Sequence, residues 1–502
     1  MKVIFNYLRE KIFYEKLNNI VGFIFLLLIS IFLTYAMVYL KYSMGAIVLL
    51  GLIGIGITLL ILFNIEFGFA VLFIFSFFIS YLFIIISEDL PSGSVIELLL
   101  ILLLIGIVIK YQNNRWQFLQ SINHPITMAY MIFLGYMVIQ AFNPNMHSTE
   151  GWVFAFRKIT GFFALFVIML AMLRDVKTLR KFIYLWLGLS FIAAVYGCHQ
   201  EWFGLLPVEE RYIRSDPQRF QLTFVAGRFR VFSFLPGPTA FGMFMAESAI
   251  ACIVLIIMKG ASIRKKFVLA IIATFCAMAA SYSGTRTAIA MIPIGLIVYI
   301  LLTINNKNTL FIIASLVLAF FFVMYAPIYG NATINRIRST FQPEEDASYQ
   351  VREENRARIQ PYIHDHPIGG GISTTGVLGK MYNPNHFLSS FPPDSAYVKT
   401  ALETGWIGLI IQFTLIFIIM RTGIKDYFKE TNQRKKKYFV VFLSVYFSIV
   451  IAMFTQQSVN AQYPLSISYF ICLAVMAKLR RIPLDERKEA ESNLQDNTKT
   501  TI

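Results

Sequence analysis

Charge is scarce in this 502-residue chain: Asp, Glu, Lys and Arg make up 14% of it, against about a quarter in a soluble domain. Cysteine is scarcer, with four residues (Cys198, Cys252, Cys276, Cys472) and no CxxC spacing. That excludes a disulfide framework, and the four read as buried packing thiols. Histidine is nearly as thin, with six residues, and His364, His366 and His386 lack the spacing of metal ligands on one helix. Acid is short relative to base, 28 against 44, for a net charge of +16. What abounds is apolar surface: 57% of the residues, 48 of them Phe. Runs such as 19–40 and 309–326 come close to the ~18–20 residues that cross a bilayer as a helix. An ordinary soluble enzyme is excluded.

Apolar runs set against polar breaks predict an all-α, polytopic membrane protein of about fourteen spans (twelve to fourteen). They fall near 19–40, 44–63, 67–87, 94–109, 125–142, 152–173, 182–200, 239–258, 267–283, 287–303, 309–327, 396–420, 438–456 and 464–477. The organisation expected is N-terminal spans over 1–200, a long loop at 201–238, central spans over 239–327, a second long loop at 328–395, and C-terminal spans over 396–477. A polar tail, 478–502, follows. No cleavable signal peptide is expected, because the first apolar run is too long for one.

Lys and Arg orient the chain. With the N-terminus inside, the inner segments hold twenty-eight basic residues, eighteen of them Lys. The outer segments hold thirteen, of which only Lys41 and Lys380 are not Arg. Topology does not require outer Arg. Its planar fork grips phosphate in two places, so the outer set points to a phosphate ligand rather than to nucleic acid. Solvated loops paired with acids such as Glu353 and Glu354 are the plainer alternative.

Three segments stand out: GRFRVFSFLPGPTAFG (227–242), SYSGTRTA (281–288) and PPDSAYVKTALETGWIGL (392–409). The second sets Arg286 at the mouth of a span, where a cation faces either a cavity or the headgroups. In the long loop, SYQVREENRARIQPYIHDHP (348–367) reads as a helix ended at His366-Pro367, with Arg352 and Arg356 on one face. HPIGGG (366–371) gives a turn whose glycines either let backbone N–H groups approach a ligand or simply return the chain to the membrane.

These pieces resemble the O-antigen ligase and polysaccharide polymerase superfamily of bacterial envelope enzymes. Arg230 matches that family's Arg-Val-x-Gly-like segment, with Ser233 where glycine is common. Ser283, Gly284, Thr285 and Arg286 match its Ser-Arg turn. HPIGGGIST (366–374) matches its Gly-rich stretch, and Asp394, Ser395, Tyr397, Glu403 and Gly405 its last motif. The likeness spans roughly 225–425. Asp394 stands where the ligase branch usually has His, which favours the polymerase branch.

The resemblance implies a GT-C-like glycosyltransferase architecture and a glycan donor on undecaprenyl pyrophosphate at the outer face of the bacterial cytoplasmic membrane, with both termini inside. An acceptor hydroxyl, on a glycan or a lipid, displaces the lipid pyrophosphate. Preorganised cations would stabilise the leaving charge, so neither cofactor nor metal is expected. The expected catalytic set is Asp394, Arg230 and Arg286. Arg228, Arg352, Arg356, Arg358, Tyr397 and Glu403 are expected to hold pyrophosphate or glycan. Asp394 has three open readings: proton acceptor, orienting group, or N-cap of the following span. Glu247, deep in a span, is a candidate partner for Arg286. A lipid-linked glycan flippase is the rival function, but it would need cations along its spans rather than in two loops.

Overall fold

The computed structural model describes residues 42–85, 92–113, 115–225, 227–258, 260–304, 307–327, 347–457 and 462–484, with isolated positions between 20 and 34 and at 338. Among the described residues there are eighteen α-helices and one two-stranded hairpin. The helices run α1 (Tyr42–Phe63), α2 (Ile65–Ile85), α3 (Ser92–Lys110), α4 (Arg115–Ile122), α5 (Pro125–Ile139), α6 (Thr149–Met172) and α7 (Val176–Phe203). Then come α8 (Pro207–Arg214), α9 (Pro217–Thr223), the strands β1 (Phe224–Val225) and β2 (Arg228–Phe229), α10 (Pro238–Ile257), α11 (Ile263–Tyr282) and α12 (Arg286–Leu302). The chain closes with α13 (Lys307–Tyr325), α14 (Ala347–Asp365), α15 (Gly376–Tyr382), α16 (Ala396–Lys429), α17 (Gln433–Ala452) and α18 (Leu465–Lys478).

Seven of the described helices are long and apolar enough to cross a membrane: α2, α3, α5 with its 3-10 extension to Phe142, α6, α7, α10 and α16. Three more, Gly54–Phe63, Arg286–Leu302 and Leu465–Lys478, are apolar but shorter. The protein is an all-α polytopic membrane protein. Thirteen of the fourteen expected segments are helical here, with ends displaced by up to nine residues. The first, 19–40, lies largely outside the described residues, as does most of the C-terminal tail.

The chain divides into two units. One comprises Met1–Phe69 and Ile101–Asn114; the other comprises Ala70–Leu100 and Arg115–Ile502. In the first, Gly106 lies against the Leu62 carbonyl and Gly68 against the side chains of Leu103 and Ile61. Small residues let helix backbones close up where lipid offers no hydrophobic drive.

The second unit is built around α10, which is buried from Pro238 to Leu255 with few interruptions. A helix apolar on every side belongs in the middle of a bundle. α7, α11, α12 and α17 pack around it. Ser190 on α7 and Ser248 on α10 share a hydrogen bond of 2.8 Å, and Gly295 on α12 lies against Ile250 of α10. The four cysteines are buried and free. Glu247 is not paired with Arg286, as the sequence suggested. It is buried in α10 and accepts a 2.5 Å bond from the Ser468 hydroxyl of α18. The bundle has two ends, and one of them, the loop end, carries α8, α9, the hairpin, α14 and α15.

At the opposite end His124 caps α5. Its Nδ1 accepts from the Ile126 N–H at 3.2 Å, ahead of Pro125 at the first helical position. Burial pulls the imidazole from 6.5 down to about 4, and the Arg481 charge adds to the shift. The folded state therefore holds His124 neutral while the unfolded chain protonates near 6.5. Stability is complete above that pH and falls as pH drops from 6.5 towards 4. Thermal unfolding of H124N across this window should show a flatter pH dependence than wild type; parallel curves would refute the assignment.

A candidate active site at the loop end

The turn between α11 and α12 forms because Gly284 takes a left-handed conformation, φ +61°, which ends α11 without strain. Ser283 braces it, donating to Ala280 O at 2.7 Å and accepting from the Thr285 N–H at 3.2 Å. The hairpin β1–β2 delivers Arg230 to this turn, and its own N–H bonds Thr223 O at 2.7 Å. Its guanidinium is then used three ways: Nε donates to Ser283 O at 3.0 Å, Nη1 to Leu222 O at 3.0 Å, and Nη2 to Thr285 Oγ1 at 2.9 Å. Thr285 Oγ1 in turn donates to Pro238 O at 3.2 Å. Arg230 thus ties the first long loop to the start of both α10 and α12. The next residue along, Arg286, is half-buried and opens α12, where the positive helix end favours an anion.

The element that gathers the rest is the turn Met453–Gln457 after α17. Thr287 and Thr455 share a hydrogen bond of 2.8 Å. Met453 O accepts from Ala396 N at 3.0 Å and from Ser395 Oγ at 3.2 Å. Gln457 Nε2 donates to Pro393 O at 2.6 Å. The Arg356 guanidinium lies 4.7 Å from the Phe454 ring centre and 3.3 Å from Glu353. Arg286, Asp394 and Arg356 therefore flank one turn. Sequence reasoning passed over it because it carries no charge; paired Gln456 and Gln457 at the end of an apolar helix were its only signal.

Asp394 is exposed, while Ser395 caps α16 by accepting from the N–H groups of Tyr397 (3.2 Å) and Val398 (3.4 Å). The N-cap reading of Asp394 is thereby removed. Tyr397 and Glu403, expected against substrate, are buried. The Tyr397 hydroxyl donates to Val450 O at 2.7 Å, and its ring stacks on Phe413. Glu403 accepts a 2.5 Å bond from Thr375. Arg358 is exposed, and Arg228 is an exposed partner of Glu201 at 3.9 Å, a separation of little energetic weight. Arg352 lies on α14, but its side chain falls outside the described set. A further cationic pair is Lys158 of α6 and Lys399 of α16, which are close enough for their charges to interact.

The Gly-rich stretch and the Glu-x-Gly stretch prove to be one unit. α16 breaks at Gly405 (φ +71°, ψ 179°), which strands carbonyls that lipid cannot satisfy. Gly370 N bonds Leu402 O at 2.8 Å, Gly371 N bonds Glu403 O at 2.9 Å, and the Tyr136 hydroxyl bonds Thr404 O at 2.6 Å. Gln140 and Asn143 hold Ile368 O, each at 3.0 Å, and Asn145 holds Gly369 O at 2.9 Å. The N–H groups of Gly370 and Gly371 are thus spent on protein carbonyls, not offered to a ligand. α14 packs onto the same region through Ile359, Leu388, Phe391 and Leu402. Among the described residues no three of His, Cys, Asp and Glu converge as a metal group.

The family model described as O-Antigen ligase matches residues 267–413. That segment, 147 of the 502 residues, is similar to the O-antigen ligase family. No curated protein matches it. The matched O-antigen ligase segment contains Arg286, α14, Asp394 and the break in α16; Arg228 and Arg230 precede it, and the turn Met453–Gln457 follows it.

Two stability measurements check this geometry. At Gly405 a Cβ would run into the Pro367 carbonyl in a left-handed conformation, so G405A should cost at least about 2 kcal/mol and lower the thermal midpoint by several degrees; an unchanged midpoint refutes the break. S395A should cost about 1 kcal/mol and lower the thermal midpoint; an unchanged midpoint refutes Ser395 as the cap of α16.

Proposed function

We propose that this protein is a metal-independent membrane glycosyltransferase that polymerises glycan from an undecaprenyl-pyrophosphate-linked donor on the outer face of the bacterial cytoplasmic membrane. Members of the matched family transfer glycosyl groups. The observation that carries the reading is Arg230 fastened across Ser283 and Thr285, one residue before Arg286. A guanidinium held at a helix start, beside a membrane span, suits a lipid pyrophosphate.

In this reading the acceptor hydroxyl attacks the anomeric carbon, the bond from that carbon to the pyrophosphate oxygen breaks, and the hydroxyl proton is released. Arg286 meets the charge that develops on the leaving pyrophosphate. Arg230 fixes the turn that aims Arg286. Arg356, set against Phe454, holds the donor, with Arg352 and Arg358 on the same helix. Asp394, exposed beside Pro393, accepts the proton or orients the acceptor. Tyr397 and Glu403 support the site from beneath. Asp394 in place of His favours polymerisation; an O-antigen ligase joining finished polymer to an acceptor is the second reading.

Arg286→Lys keeps the charge but loses the two-point grip, so polymer formation should fall by at least roughly tenfold at normal expression. Arg230→Lys should reduce activity and stability together. Full-length polymer from both variants would sink the proposal. Deletion followed by electrophoresis of surface glycans separates the readings. Single repeats in place of a ladder support the polymerase, intact unattached polymer the ligase, and lipid-linked units trapped on the cytoplasmic face a flippase.

A further inference from the structure

A large cavity among the described residues lies at the end opposite the loops, and Arg286 is not among its lining residues. α7 alone is 28 residues long, roughly 42 Å at 1.5 Å per residue, and the cavity opens beside its first turns. It measures about 930 Å³, the upper part of the range for small-molecule sites. Five cations ring it: Arg180 from α7, Arg264 and Lys265 from α11, and Arg434 and Lys437 from α17. None of the described lining residues is acidic. Lys437 lies close enough to Lys265, Lys266 and Arg180 to feel their charges. Both α11 and α17 begin here, so their positive ends add to the field.

Below the cations the walls turn apolar in step with the helices. On α7, Arg180 is followed on one face by Ile183 and Leu187; on α11, Lys265 is followed by Val268, Leu269 and Ile272. Val268 and Tyr184 are more than half exposed at the mouth. The cavity therefore has a charged head and a hydrocarbon-lined body, with both helices running from one to the other. A rim carrying several cations attracts an anion, and hydrocarbon walls select an anion that carries chains.

We propose that this cavity binds an anionic phospholipid, its phosphate among the five cations and its acyl chains along α7 and α11. The site is independent of the glycan-transfer reading, since it uses none of those residues. The test uses the purified full-length protein, stripped of lipid in detergent and titrated with mixed micelles of phosphatidylglycerol or of phosphatidylcholine with the same chains. Retained lipid is counted by native mass spectrometry. Wild type should retain phosphatidylglycerol at least roughly tenfold better than phosphatidylcholine. The R264Q/K265Q variant should lose most of that preference. V268W, which keeps every charge and fills the body of the cavity from a half-exposed position, should lower retention of phosphatidylglycerol severalfold. Equal retention of the two lipids by wild type overturns the proposal, as does a preference that survives R264Q/K265Q. Displacement by millimolar inorganic phosphate would show that the head alone is recognised, and tighter binding of a polyprenyl phosphate would show that a different lipid is the ligand; either result also overturns it.

Discussion

The loop end depends on how one broken helix is made acceptable inside a membrane. α16 gives up its regular hydrogen bonds at Gly405, and the carbonyls of Leu402, Glu403 and Thr404 need donors that hydrocarbon does not have. The donors come from the Gly370–Gly371 backbone and from Tyr136. Gln140, Asn143 and Asn145 then hold the donor strand in place. A single break thereby joins a region near residue 140, the loop near 370 and the helix near 404. The position of Asp394, nine residues before Glu403, follows from that joint.

Arg230 does related work on the other flank. A guanidinium has five N–H donors, and its three nitrogens each reach an acceptor in the surrounding protein. The hairpin β1–β2, the first turn of α10 and the first turn of α12 are held by it. Arg286 stands where such a latch makes its position definite. The two arginines that read alike in sequence thus differ in the structure: one is enclosed by acceptors, the other opens a helix.

Much of this architecture was legible in the sequence. Apolar runs gave the helices, the polar SYSGTRTA stretch the break before Arg286, and His366-Pro367 the end of α14. Arg230, Ser283 and Arg286 were picked out from motifs, and the structure brings their segments together. What escaped was partnership. Nothing in the string says that the glycines at 370 and 371 serve carbonyls at 402 and 403, because backbone hydrogen bonds leave no residue signature. Tyr397 was expected to hold pyrophosphate or glycan, yet its hydroxyl reaches Val450 O inside the bundle. The turn Met453–Gln457, uncharged and marked only by its paired glutamines, was passed over because it binds mainly through backbone and amide groups.

That turn has a consequence for what counts as the unit of folding. The segment recognised as O-antigen ligase ends at residue 413, yet its Thr287, Pro393, Ser395 and Ala396 lean on Met453, Thr455 and Gln457 beyond that limit. Its Ser283–Thr285 turn leans on Arg230 before its start. The recognisable motif region is therefore not self-sufficient: excised at its own borders, it would shed the contacts that shape its surface. Heredity marks the middle of the chain, while the scaffolding that gives the middle its form is contributed by both neighbours.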